Sequence, residues 1–241
     1  MADSELVFKK SYKCPICDSS FKNLTVKQGR ARMESTDFDL KINYRSIEPL
    51  KYDIILCPVC GYAALERYFE RVSVFQRKNI IDKICQSFNS VFEDKDEFDF
   101  EDAIIRYKFA FLTCQVKMSK SSELGFLCLK MGWLYRSYAK SLDENETKKI
   151  KELNKLELDF LDKAYNYFED ARANEQSPIC GMDEITFDTL LAGLCVKLKK
   201  TDEARNYIGI ILQNRDALKR VKDKARDLKE LVDEIENESE E

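Results

Sequence analysis

Two periodicities divide this 241-residue chain. Ahead of residue 62, apolar and polar positions tend to alternate. "FDLKINYR" sets Phe38, Leu40, Ile42 and Tyr44 against Asp39, Lys41, Asn43 and Arg45, the period of a half-buried strand. "YDIIL" (residues 52–56) predicts a second strand and "NLTVK" a weaker third. From Ala63 onward apolar residues recur every three or four positions to the C-terminus. About seven helices follow, broken at "EDKDEFD", "KSSE", "DENET", "EQSPICG" and "KKTDE". Only four prolines and seven glycines interrupt the chain, which favours long helices.

Within the helices a small–large–small signature recurs: Ala103, Tyr107 and Ala110; Ala164, Phe168 and Ala171; Ala204, Ile208 and Ile211. Partner helices carry Met131, Gly132 and Tyr135, and Leu191, Ala192 and Cys195. This resembles the tetratricopeptide pattern, in which one helix of a hairpin nests against the next. Ala192 and Ala204 lie twelve residues apart, the spacing of a standard repeat. Gly132 and Ala164 lie 32 apart, so that unit carries an insertion, read as extra helix around "DENETKKIKEL". The alternative is an irregular bundle. A repeat stack leaves a peptide groove, for which Tyr107, Trp133, Tyr135 and Tyr138 are candidates, although aromatic residues at helical spacing also build cores. In the last helix, Leu218, Val221, Ala225, Leu228, Val232 and Ile235 form a short 3–4 seam. It caps the stack or, less favoured, makes a weak dimer.

Four cysteines change the picture of the first part. "CPIC" and "CPVC" place Cys14 with Cys17 and Cys57 with Cys60. Each pair is half of a tetrahedral zinc site, and the two together complete one. Gly61 follows the second pair, where a left-handed turn needs it. The expectation is one structural Zn2+ per chain, closed by four thiolates, with no open position for water or substrate. Cys85, Cys114, Cys128 and Cys195 read as small buried hydrophobes, and Cys180, in "SPICGM", as the most exposed of the rest. The chain has no histidine, which excludes imidazole bases, Ser-His and Cys-His nucleophiles and mixed Cys/His metal sites.

Charge is uneven along the chain. From Lys9 to Arg32 seven basic residues face one acid, and from Glu93 to Asp102 seven acids face one lysine. Lys22, Lys27, Arg30 and Arg32 could lie along a phosphate backbone, with Phe21 and Phe38 as stacking platforms. Asp37 and Asp39, two apart, would share one face of a strand, and Asp37 reads as capping a turn or binding Arg30 or Arg32 rather than as a catalytic acid. The opening residues have no apolar run of signal-peptide length, and the longest apolar runs, "YIGIIL" and "LLAGLCV", are too short to span a bilayer. A cytoplasmic protein without a membrane partner is expected, in which paired cysteines are metal ligands.

The order of the two CPxC turns, with "STDFDLKINYRSIEPLKYDIIL" between them and helices behind, resembles a bacterial family catalogued as domain of unknown function 2225. Asp37, Tyr44, Pro49, Tyr52 and Gly61-Tyr62-Ala63 carry the resemblance, and Arg30 and Arg32 stand where such proteins tend to be basic. The resemblance implies a bacterial cytosolic protein with a zinc-ribbon-like head and a tetratricopeptide-like tail, and brings no activity with it. The expected fold is therefore α+β, mainly α. A zinc-stapled β head (residues 1–70) precedes a helical-hairpin repeat domain (residues 71–241) ending in a capping helix. The expected function is a protein-interaction adaptor whose helical domain holds a protein partner. The alternative is nucleic-acid binding through the head, and an enzyme is least favoured.

Overall fold

A computed structural model of the chain describes residues 3–89 and 92–240. Its N-terminal part is three antiparallel hairpins. β1 (Val7–Lys13) pairs with β2 (Ser20–Val26), Val7 opposite Val26 and Lys13 opposite Ser20. β3 (Met33–Thr36) pairs with β4 (Ile42–Tyr44), and β5 (Ile54–Leu56) with β6 (Ala63–Leu65). The first and third hairpins each turn through one cysteine pair. β1 gives no alternating signal, because most of "VFKKSYK" is at least half-exposed on both faces. Ala63–Leu65, expected to open a helix, is instead the return strand of the second knuckle.

The largest correction falls on "FDLKINYR". The chain turns at Phe38–Leu40, with Leu40 at φ +66°, and only Ile42–Tyr44 is strand. Burial is the reverse of the expected one. Asp39 and Lys41 are 0% and 2% exposed, whereas Ile42 lies at the surface. Charges persist inside only when paired and hydrogen-bonded, and these are. Lys41 donates to Glu48 Oε2 at 3.3 Å, Ile42 O at 3.3 Å and Asn43 Oδ1 at 3.4 Å. A period-two pattern cannot anticipate a buried charge whose partner comes from elsewhere.

The helices follow in chain order. α1 (Glu66–Phe69) is one turn, and α2 (Val74–Ile80) starts at a capping box between Ser73 and Gln76 and ends in a π-helical turn, Ile81–Cys85. Then come α3 (Phe100–Val116), α4 (Ser121–Ser141), α5 (Thr147–Asn174), α6 (Glu184–Lys197), α7 (Thr201–Gln213) and α8 (Lys219–Glu240). Every expected break marks a junction between two of them, although "KSSE" and "KKTDE" each extend into the first turn of the following helix, α4 and α7. The insertion near "DENETKKIKEL" is not a separate helix but lengthens α5 to 28 residues.

α4 and α5 pack closely because two glycines of α4 accept large side chains of α5. A Cβ at Gly125 would lie 2.6 Å from the Phe168 ring, and one at Gly132 2.7 Å from Leu161 Cδ2. Ala164, Phe168 and Ala171 are buried, so the small–large–small spacing marks a real packing face. α8 lies on α6 and α7. Ala225, Leu228 and Val232 are buried there, so the seam is covered by the chain's own helices, while Leu218 stays exposed.

A boundary at residue 70 does not separate two cores. Leu50, Ile54, Leu56, Ala63 and Leu65 share one apolar cluster with Ala103, Tyr107, Met131 and Tyr135 of α3 and α4. The four groove candidates belong to this interior, which corrects that expectation. Tyr107 is fully buried. Tyr135 stacks on Phe160 with ring centroids 5.6 Å apart, and Tyr138 on Phe100 at 4.8 Å. Trp133 Nε1 donates to Asp39 Oδ2 at 3.0 Å. The hairpins and the neighbouring helices cover the faces on which these rings lie.

The loop after β3 is fastened to the helices by Arg136 of α4. Its Nη1 donates to Asp37 Oδ2 (2.6 Å) and Asp39 Oδ1 (3.0 Å), its Nη2 to Asp39 Oδ2 (2.5 Å), and its Nε to Glu157 Oε1 of α5 (2.8 Å). Lys197 of α6 also reaches Glu157, at 3.1 Å. Gly193 of α6 admits the backbone of Phe38 and Asp39 so closely that no Cβ fits between them. Burial pushes the Asp37 carboxyl up, but hydrogen bonds from Asn43 and Arg136 outweigh it and hold the group below its usual value.

Arg136→Met, which leaves Asp39 and Glu157 buried without their main partner, is expected to lower unfolding stability by about 3–5 kcal/mol in urea titrations. Because Asp37 is held low, its contribution is fully present above pH ~4 and fades as pH falls further. That part of the acid sensitivity should be absent from Arg136→Met.

Candidate metal centre

Both knuckles are built by the same backbone device. In the first, Cys14 N–H donates to Ser19 O (2.9 Å) and Asp18 N–H to Cys14 O (3.0 Å). In the second, Cys57 N–H donates to Tyr62 O (2.8 Å) and Gly61 N–H to Cys57 O (3.0 Å). The residue after each second cysteine is left-handed: Asp18 at φ +61° and Gly61 at φ +75°. Aspartate tolerates this region better than most residues. At Gly61 glycine is needed twice over, because a Cβ would also run into the Phe88 ring.

The two turns face each other. Cys14 Sγ lies 3.6 Å from Cys60 Sγ, and Cys17 Sγ 3.6 Å from Cys57 Sγ. All four sulfurs fall within 4.8 Å of one another. Four thiolates at about 2.3 Å from a central ion form a tetrahedron with edges of about 3.8 Å, so the spacing suits a metal ion. Ile16 N–H points at Cys14 Sγ from 3.4 Å, and three of the four cysteines are buried.

The thiols alone are in electrostatic conflict. Hydrogen bonds with Cys14 and then Cys60 pull the Cys57 thiol far down. The Cys14 thiol is pushed up, chiefly by its bond with Cys57, and that of Cys60 chiefly by its bond with Cys14. One thiolate can be stabilised by its neighbours' protons, but four in this space require a cation. Four protein ligands around one ion would leave no coordination position for water, and the cluster is compatible with such a site.

The surroundings tie the cluster to α2. Arg77 of α2 donates from Nε (3.1 Å) and Nη2 (2.7 Å) to Ile16 O, and from Nη2 to Asp18 Oδ2 (3.0 Å). Ile80 and Ile84 share an apolar cluster with Cys14, Cys57, Cys60 and Tyr62. Tyr62 is fully buried and donates to Phe69 O at 2.8 Å. Of the other cysteines, Cys114, Cys128 and Cys195 are buried as expected. Cys85 is half-buried beside the cluster, and Cys180, expected to be the most exposed, is half-buried with its thiol donating to Ser122 O at 3.1 Å.

The basic residues singled out in the head lie on β2 and on the segment between β2 and β3. Lys27 Nζ is held by Glu5 O at 2.8 Å. Arg30 and Arg32 are exposed around the start of β3, and Lys22 is exposed on β2. Asp37 and Asp39 are bound by Arg136, not by Arg30 or Arg32. Phe21 packs against Tyr12 and Phe69, and Phe38 packs at the main helical core. The acidic run meets the basic strand, since Lys9 pairs with Asp94 (2.8 Å) and Asp96 (3.2 Å). Sequence reasoning missed Arg77 and Arg136, because an arginine in a charged helix carries no local mark of the partner it will meet.

Among the described residues, no helix is long and apolar enough to cross a membrane. A family model described as "uncharacterized protein conserved in bacteria (DUF2225)" matches residues 7–232. No curated protein and no solved structure matches the chain.

Purified protein should carry one divalent ion per chain by elemental analysis. Cys57→Ser should lose the ion and, with it, the ordered amide resonances of the head, because binding and folding share one free energy in such sites. A metal-free head that keeps its resonances would overturn the staple.

Proposed function

The chain belongs to the bacterial family DUF2225, and from that premise we propose that it is a cytoplasmic protein-interaction adaptor stapled by zinc. The observation that carries this reading is the outer face of α2. Val74 is 89% exposed and Phe75 64%, and Ile81, the residue directly after the helix, also reaches the surface. An exposed aromatic on a fixed backbone is the kind of group that anchors an interface.

That backbone is fixed from the metal centre. The four sulfurs hold the first knuckle, its Ile16 carbonyl and Asp18 carboxylate hold Arg77, and Arg77 holds α2. Zinc is the ion that four thiolates at this spacing suit best. Its role is to keep the apolar face in place, and the partner is a protein segment with a complementary apolar surface.

The helical body serves as the support. α4–α5 and α6–α7 are two degenerate tetratricopeptide-like hairpins, and α8 is their cap. The nesting of Gly132 against Leu161 and the buried Ala192 and Ala204 support this reading. The interaction surface then lies on α2, outside the interior that holds Tyr107 and Tyr135.

The test is affinity capture from native cytosol with nuclease treatment, comparing wild type with Phe75→Ser. This exposed substitution should change stability by no more than about 0.5 kcal/mol. Proteins that survive nuclease with wild type should be recovered at least about tenfold less with the variant. Equal recovery would overturn the adaptor reading at α2, and partners lost on nuclease treatment would move the function to the basic head.

A further inference from the structure

Two arginines of adjacent helices are almost equally buried and differently partnered. Arg136 meets three carboxylates. Arg106 of α3, 8% exposed, meets none among the described residues. Its Nη1 donates to Asn23 Oδ1 at 2.8 Å, and its guanidinium lies 3.9 Å above the Phe98 ring. The acid one turn before it, Asp102, is bound by Lys95 at 2.7 Å. Burial draws the Arg106 guanidinium down to about 10, and Asp102 only partly offsets this. It remains a cation at neutral pH, set in an apolar surround without its counter-ion, an arrangement that an anion would stabilise.

The space for an anion is present. Arg106 lines a cavity of about 310 Å³ with Phe21, Lys22, Leu24 and Phe98. The other basic groups there are engaged, Lys9 by Asp94 and Asp96, Lys95 by Asp99 and Asp102. Lys22 has no ion pair among the described residues. Of the acids at the mouth, Asp94 is taken by Lys9, and Glu93 has no ion pair among the described residues. Two uncompensated cations therefore face one free carboxylate, and the walls between them are apolar and aromatic.

We propose that this cavity binds the phosphate group of a small phosphorylated aromatic molecule of mononucleotide size. The free edge of the Arg106 guanidinium and the Lys22 ammonium take the phosphate oxygens. Paired cations of this kind suit a dianion better than a single carboxylate, and a guanidinium offers a planar fork to phosphate. Phe21, Leu24 and Phe98 receive the organic part. The volume is at the small end of ligand cavities, so it admits a mononucleotide or the phosphorylated end of a strand, but not the body of a polymer. This site is independent of the α2 surface, and either can fail without the other.

The test is isothermal titration of the full-length, metal-loaded chain at constant ionic strength. The probes are inorganic phosphate, adenosine monophosphate, adenosine and a 5′-phosphorylated hexanucleotide. Saturable binding of adenosine monophosphate, with adenosine silent, is expected. Lys22→Gln, an exposed change that leaves the melting temperature unaltered, should weaken that binding about tenfold. Hexanucleotide binding that adenosine monophosphate displaces would support the site and identify a strand end as the source of the phosphate. Absence of saturable binding by any phosphate probe at millimolar concentration would overturn the proposal, as would an affinity that Lys22→Gln leaves unchanged.

Discussion

The bidentate contact of Arg136 with Asp39 is the joint on which this architecture depends. A loop of the β part inserts a fully buried carboxylate between helices, and one guanidinium on α4 meets it while also holding Asp37 and Glu157. Burying any of these charges alone would cost several kcal/mol. The cluster is therefore stable only as a set, and it forms only when the loop, α4 and α5 are together. Trp133 completes the partners of Asp39 from the same helix, and Lys224 of α8 reaches Asp37 O at 3.2 Å. One polar cluster thus gathers the second hairpin and four helices, α4, α5, α6 and α8, and an apolar core of residues from β5, β6, α3 and α4 runs beside it.

The four-cysteine cluster does a different job at the other end of the head. It brings two short hairpins together, and Arg77 ties it to α2 through the Ile16 carbonyl and the Asp18 carboxylate. α2 contributes Ile80 to the apolar packing around the cysteines, and its opposite face carries Val74 and Phe75 in solvent. A helix of seven residues has little stability of its own. Its place is held by the first knuckle through Arg77.

Charge in the head is partly settled within the chain. The acidic run that begins at Glu93 returns to β1 and pairs with Lys9, while Lys10 pairs with Glu66. Lys22, Lys27, Arg30 and Arg32 have no ion pair among the described residues, and of these Lys22 lines one cavity with Arg106.

By itself the sequence determined whatever rests on covalent spacing and local backbone preference. The two CPxC turns announce their pairing because each supplies half a tetrahedron, and Gly61 announces its left-handed turn. The helix breaks were legible because capping and turn residues act over a few positions, and the small–large–small spacing of Ala164, Phe168 and Ala171 marks a packing face on any helix. Only the tertiary structure decided which polar residues are interior. Asp39 and Lys41 read as the solvent face of a strand, and Tyr107 read as a possible groove residue. Their true positions depend on Arg136, Glu48 and the hairpins that cover α3, none of which is a sequence neighbour. A buried charge is permitted by its partner's position in space, and that position is a property of the assembled fold.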